Sequence, residues 1–125
     1  MDPRFVTKNI HAFLDYPVAA LLITAPWVLG LGESHPAAHW LGVWTGLAAL
    51  LLTLFTNHRL GFIRVLPYKL HVAVDGMVGV VFLAAPFVFG FEGIDAWFYW
   101  LNGGAVAAVV SLSKPEDGHE PAVAM

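Results

Sequence analysis

The chain has 125 residues, of which 58% are hydrophobic and 12% are charged. A soluble domain carries about 25% charged residues, so lipid is the expected solvent of a single membrane domain covering residues 1–125. A net charge of −3 leaves no basic surface for a nucleic acid. The absence of cysteine excludes disulfides, thiolate nucleophiles and Cys-ligated metals.

Four uncharged apolar stretches follow one another along the chain, at 16–32, 40–56, 76–91 and 96–113. A transmembrane helix needs about 20 residues to cross about 30 Å of hydrocarbon. We therefore expect the helices to extend into their flanks, which draws His11 and Asp15 into the first and His71 and Asp75 into the third. A shorter first helix, N-capped by Asp15, is the alternative and would run only about 24 Å.

The basic residues predict the orientation of these spans. They precede the first stretch, lie between the second and third, and follow the fourth: Arg4, Lys8, Arg59, Arg64, Lys69 and Lys114. Because cytoplasmic segments are enriched in Lys and Arg, both termini and the central segment are expected in the cytoplasm.

A shift of sixty positions aligns the sequence with itself without a gap. Each copy holds two spans, so both enter the membrane in the same direction and a pseudo-two-fold axis runs along the membrane normal. We predict an all-α, four-helix transmembrane bundle of two tandem hairpins, at about 10–56 and 70–113, with an interfacial linker at about 57–69 and a cytoplasmic tail at 114–125. The matched pairs include His11/His71, Asp15/Asp75, Pro26/Pro86, Gly30/Gly90, Trp40/Trp100, Ala48/Ala108 and Leu52/Leu112.

The two copies resemble a known family. The segments HAFLDYPVAALLITAPWVLGLG and HVAVDGMVGVVFLAAPFVFGFEG are similar to the two halves of SPW-repeat membrane proteins, named for a Ser-Pro-Trp triplet. This chain has Ala25-Pro26-Trp27 and Ala85-Pro86-Phe87 at the triplet. The resemblance implies a small protein of the bacterial cytoplasmic (inner) membrane, and it brings no established activity or catalytic residues.

Pro26 and Pro86 are expected to kink their helices, because a mid-helix proline removes a hydrogen bond to the carbonyl four residues back. Gly30 and Gly90 then serve as helix terminators. The alternative is that the freed carbonyls coordinate an ion in a broken helix. The shaped helix end is the favoured interpretation.

Small residues at one-turn spacing are expected to bring helices close together. They are Gly42 and Gly46 in the second span, and Gly104 and Ala108 in the fourth. Packing within one chain and packing between chains explain them equally well.

The two His-x-x-x-Asp pairs are the most informative motif. A spacing of four residues places His11 and Asp15 on one helical face, and His71 and Asp75 on another at the same depth. Ionisable residues inside a span normally face the protein interior and pair with something. We expect a polar layer that locks the hairpins together; the alternatives are proton or ion handling through the histidines and binding of a divalent metal such as zinc, iron or manganese.

No motif resembles an enzyme signature such as HExxH, so we predict no catalytic residues and expect no cofactor. The leading hypothesis is a non-catalytic scaffold or accessory subunit that acts through helix packing in the lipid bilayer. Its expected partners are copies of itself or a larger membrane complex. Proton or ion handling and pH sensing in an oligomer is the alternative, and a metal- or cofactor-binding membrane protein is the second alternative.

Overall fold

The structure, a computed structural model, describes residues 4–56, 61 and 66–113. It contains four helices: α1 Lys8–Val28, α2 Pro36–Phe55, α3 Tyr68–Phe89 and α4 Ile94–Leu112. The predicted all-α class and the count of four helices are confirmed for this part of the chain. The predicted interfacial linker lies mostly, and the predicted tail wholly, outside the described residues.

Three of these helices have the length and apolarity of membrane spans. They are α1, α2 and α3, with 21, 20 and 22 residues. The chain is therefore a multi-pass membrane protein. Helix α4 has 19 residues and carries Asp95 and Asn102, and its crossing of the membrane stays a prediction.

Helices α1 and α3 extend into their flanks, as predicted. Thr7 is the N-cap of α1, and its hydroxyl oxygen accepts a hydrogen bond from the Ile10 amide at 3.2 Å. Asp15 lies inside α1, so the alternative in which it N-caps a shorter helix is wrong. Pro67 precedes α3, which places His71 and Asp75 within that helix.

Glycine ends the first helix of each hairpin. Gly90 is the C-cap of α3 with φ 71°, and its amide donates to the carbonyl of Pro86. Gly30 adopts φ 65° just after α1. Since this left-handed conformation suits glycine, both act as terminators. Pro26 and Pro86 lie inside the helices, and the kinks expected there stay predictions.

Helices α1 and α2 pack antiparallel through glycines of α2. A Cβ atom added to Gly46 would lie within 2.9 Å of Leu22 and Ile23, and one added to Gly42 would lie 3.2 Å from Pro26. Contacts this short leave no room for a side chain, so the two helix backbones approach closely.

Helices α3 and α4 pack antiparallel in a similar way, but through Gly103. A Cβ atom there would lie 3.0 Å from both Phe82 and Leu83. A Cβ atom at Gly104 would meet no described atom within 4 Å. Gly104 therefore lies on the open side of α4, away from α3.

The second helices of the two hairpins are shifted by 57 positions rather than sixty, which corrects the ungapped alignment. Leu22 and Ile23 of α1 face Gly46, and their equivalents Phe82 and Leu83 of α3 face Gly103. Gly103 lies 57 positions after Gly46. The reason is the connecting loop, residues 29–35 in the first hairpin and 90–93 in the second. Pairs such as Trp40/Trp100 and Ala48/Ala108 are therefore not structural equivalents. The pseudo-two-fold axis itself stays a prediction.

The two hairpins meet at both ends of the bundle. At the loop end, defined by residues 29–35 and 90–93, a buried apolar cluster joins all four helices and includes Leu22, Ala38, Phe82 and Tyr99. At the terminal end, where α1 and α3 begin, two backbone hydrogen bonds form. The Val6 amide donates to the Leu112 carbonyl at 3.0 Å, and the Leu66 amide donates to the Phe55 carbonyl at 2.8 Å. An apolar groove of about 440 Å³ lies between the hairpins midway, lined by residues such as Val18, Thr45, Val74 and Val106.

Large apolar side chains cover much of the outer surface. Val28, Phe87 and Val88 are each at least 72% exposed. Such an apolar surface is costly in water and expected in lipid.

Candidate functional site

The structure brings His11, Asp15, His71 and Asp75 together at the terminal end, between α1 and α3. We call these four residues the His/Asp layer. Each histidine is 1% exposed and each aspartate 16% exposed. Their spacing of four residues explains the placement, because residues i and i+4 share one helical face.

Each aspartate contacts the histidine of the other hairpin. His11 Nε2 lies 2.7 Å from Asp75 Oδ2, and His71 Nε2 lies 2.8 Å from Asp15 Oδ2. The contacts within each helix are longer, at 3.4 Å for His11 and Asp15 and 3.2 Å for His71 and Asp75. Four imidazole–carboxylate contacts thus close a ring that crosses from one hairpin to the other.

A hydroxyl group orients each imidazole from behind. His11 Nδ1 lies 2.8 Å from Ser113 Oγ, and His71 Nδ1 lies 2.7 Å from Thr56 Oγ1. Each hydroxyl donates its own proton to the carbonyl four residues back, that of Val109 and Leu52 respectively. Because a hydroxyl has one proton, its oxygen accepts from the imidazole, and the Nδ1 atoms of His11 and His71 carry the N–H.

The Nε2 atoms therefore decide how the layer is held together. Because Nδ1 of each histidine is hydrogen-bonded to a hydroxyl, only Nε2 faces the carboxylates. An Nε2 atom without a proton carries a lone pair. When it lies against a carboxylate oxygen, the two acceptors need a proton or a cation between them. Asp15 Oδ2 is buried and has no hydrogen bond to any described residue, although His71 Nε2 is 2.8 Å away.

Tyr68 and a small cavity border the layer. The Tyr68 ring is 1% exposed and lies 5.8 Å from the His11 ring and 6.5 Å from the His71 ring, centre to centre. The Lys8 ammonium lies 6.0 Å from the centre of the same ring. A cavity of about 80 Å³ opens beside His11, Asp15 and Asp75.

Thr56 and Ser113 escaped the sequence analysis. They occupy the C-cap positions of α2 and α4, and a shift of sixty positions does not pair them. A three-residue gap in the second hairpin loop would have aligned them and shown a hydroxyl at the end of each second helix.

Asp95 is a buried acid outside the layer that the sequence analysis did not select. It is 1% exposed, in the first turn of α4. Its carboxylate accepts from the amides of Gly32 and Ser34 at 2.9 and 3.0 Å, and from the Ser34 hydroxyl at 2.5 Å. This Asp95 network ties the two hairpin loops together, and Tyr99 adds a bond to the Ala38 carbonyl nearby.

The remaining predicted positions lie apart from the layer. Gly30 and Gly90 are at the loop end, Pro26 and Pro86 precede them by one turn, and Gly42 and Gly46 face α1. Gly104 and Ala108 are exposed on α4. The polar layer is thus the one group among the predicted positions where side chains from both hairpins converge.

Comparison with known proteins identifies the family. No curated protein and no solved structure matches the chain. A family model described as the SPW repeat domain matches residues 9–114. The match covers both hairpins, including all four residues of the layer, and the chain therefore belongs to the SPW repeat family.

Proposed function

We propose that this membrane protein is a non-catalytic scaffold or accessory subunit that acts through helix packing, with a second copy of the chain as its first partner. The observation that carries the proposal is the open face of α4. Gly104 and Ala108 are exposed there at one-turn spacing, and a Cβ atom at Gly104 meets nothing within 4 Å. Small residues at this spacing let transmembrane helices approach closely.

The His/Asp layer supports the same proposal from the inside of the bundle. Its two short contacts each join one hairpin to the other. The hairpins are then one preformed unit, and an associating surface on α4 loses little conformational freedom when it binds.

The proposed location is the bacterial cytoplasmic membrane, with the terminal end in the cytoplasm. Arg4, Lys8 and Lys69 all lie at this end, and the positive-inside rule assigns such segments to the cytoplasm. Helix α4 must then cross the membrane as well, since it packs antiparallel to α3 over its length.

Disulfide cross-linking in native membranes tests the proposal cleanly, because the chain has no cysteine of its own. We expect Gly104→Cys and Ala108→Cys to form cross-linked dimers several-fold faster than Val80→Cys. Val80 is the matched control, since it is 68% exposed on α3. The mass of the untreated protein extracted in native lipid is measured alongside.

A dimer mass with cross-linking at 104 and 108 supports the scaffold. A cross-link from position 104 to a different chain supports the accessory-subunit form. A monomer mass, with cross-linking at 104 no faster than at 80, overturns the proposal.

A further inference from the structure

We propose that the His/Asp layer is a binding site for one divalent first-row metal ion, with zinc as its four-coordinate case. One ligand atom from each of His11, Asp15, His71 and Asp75 lies within 4.8 Å of the others. The site goes beyond a helix-packing role, and its presence or absence does not decide that role.

The dimensions of the layer fit such an ion. Zinc binds His nitrogen and Asp oxygen at about 2.0–2.2 Å in tetrahedral geometry, which sets ligand–ligand edges of about 3.4 Å. Through Asp15 Oδ2 and Asp75 Oδ2, three imidazole–carboxylate edges measure 2.7, 2.8 and 3.2 Å, and His11 Nε2 lies 3.4 Å from the other oxygen of Asp15. Loading the ion therefore lengthens the two short edges by about 0.6–0.7 Å, starting from four ligand atoms that lie within 4.8 Å of one another.

The hydroxyl groups behind the imidazoles carry the second argument. A metal-ligating histidine usually donates its other ring N–H to a nearby acceptor, which sets the tautomer and the ring orientation. Ser113 Oγ and Thr56 Oγ1 are these acceptors at 2.8 and 2.7 Å. Both Nε2 lone pairs then point into the layer, where a cation is bound.

The charges balance without any other group. The two carboxylates carry two negative charges, which two bridging protons or one divalent ion neutralise. Binding therefore exchanges one ion for about two protons, as expected when ligands must be deprotonated. The buried Asp15 Oδ2, which has no hydrogen bond among the described residues, gains a partner in the exchange.

The ligands of this site are imidazole nitrogen and carboxylate oxygen, with no thiolate, and this set limits which metal ions it suits. Imidazole suits zinc, iron and nickel, while carboxylate also suits manganese. The cavity of about 80 Å³ beside His11, Asp15 and Asp75 leaves space for a path to the site or for an additional water ligand.

The experiment uses the full chain, purified in lipid nanodiscs and stripped with a chelator. Zinc content is measured by elemental analysis after reloading and dialysis, and Co²⁺ is titrated separately to read the geometry from its visible spectrum. We expect about one ion per chain, a tetrahedral Co²⁺ spectrum, and about two protons released per ion in calorimetry across buffers.

The variants separate this site from adventitious binding. Asp15→Asn with Asp75→Asn should lower zinc below about a tenth of an equivalent, because two of the four ligands lose their charge. His35→Ala with His39→Ala is the matched control, because this pair has the same spacing but lies at the loop end and should retain full binding.

Ser113 acts as a positioning residue, which a further pair of variants tests. Ser113→Ala keeps all four ligands and should weaken zinc binding by about 10- to 100-fold. Ser113→Thr should bind zinc as tightly as the wild-type protein, since Thr56 already fills the equivalent position behind His71.

Less than about a tenth of an equivalent of either ion on wild-type protein overturns the metal site, whatever the variants do. Binding that is lost in the His35/His39 variant and kept in the Asp15/Asp75 variant also overturns it. If the Asp15/Asp75 variant fails to fold, the wild-type stoichiometry and the Ser113 pair decide. A dimer that persists without metal leaves the scaffold proposal intact.

Discussion

The two ends of the bundle both hold carboxylates between the hairpins, but these carboxylates have different partners. At the loop end, Asp95 accepts from two backbone amides and one hydroxyl. At the terminal end, the two carboxylates of the His/Asp layer face two imidazoles whose Nδ1 protons are already used by Ser113 and Thr56.

This difference in donors teaches how to distinguish a structural acid from a ligand. The Asp95 carboxylate accepts three hydrogen bonds from donors of its own chain, so its partners are those of a structural acid. In the layer, each close imidazole–carboxylate contact needs either a proton on Nε2 or a shared cation between the two atoms. We infer that contacts in which a proton can be exchanged for a cation, more than burial, mark the site able to bind an ion.

The largest expected effect concerns the Asp95 network at the loop end. Asp95→Ala should lower the free energy of unfolding by about 3 kcal/mol, because it leaves buried donors without an acceptor. Unfolding by SDS in mixed micelles, followed by tryptophan fluorescence, measures the loss. Glu92→Ala is the control: its side chain is exposed in the loop just before α4, and it should change stability by less than about 0.5 kcal/mol. Equal losses in both variants would contradict a structural role for Asp95.

A smaller loss of stability is expected when the aspartates of the His/Asp layer are replaced at the terminal end. Each imidazole Nε2 contacts both carboxylates, at 2.7 and 3.4 Å for His11 and at 2.8 and 3.2 Å for His71. In metal-free protein, Asp15→Asn and Asp75→Asn should therefore each cost about 1–2 kcal/mol, since the remaining carboxylate compensates in part.

The double variant of the layer should cost more than the sum of the single variants, by about 1 kcal/mol or more. The same SDS unfolding, completed as a double-mutant cycle, gives this coupling. Costs that add to within about 0.5 kcal/mol would show two independent aspartates instead of one connected layer.

The sequence predicted much of this architecture. The lengths of the apolar stretches predicted four helices, and the sixty-residue repeat brought His11 and Asp15 into relation with His71 and Asp75. It could not predict Thr56 and Ser113, because the shorter second loop changes the offset of α4 and hides their equivalence. It also could not predict the partners of Asp95, because Gly32 and Ser34 lie in a loop whose path depends on tertiary packing.

Exchanging the partners of one contact tests the central claim, that reciprocal His–Asp contacts join the two hairpins. His11→Asp alone places three carboxylates in the layer, and it should destabilise the bundle strongly through like-charge repulsion. Adding Asp75→His restores two imidazoles against two carboxylates, now paired as Asp on α1 with His on α3. We predict that the exchanged protein recovers at least about half of the lost stability in SDS unfolding. An exchanged protein no more stable than His11→Asp alone would contradict the account.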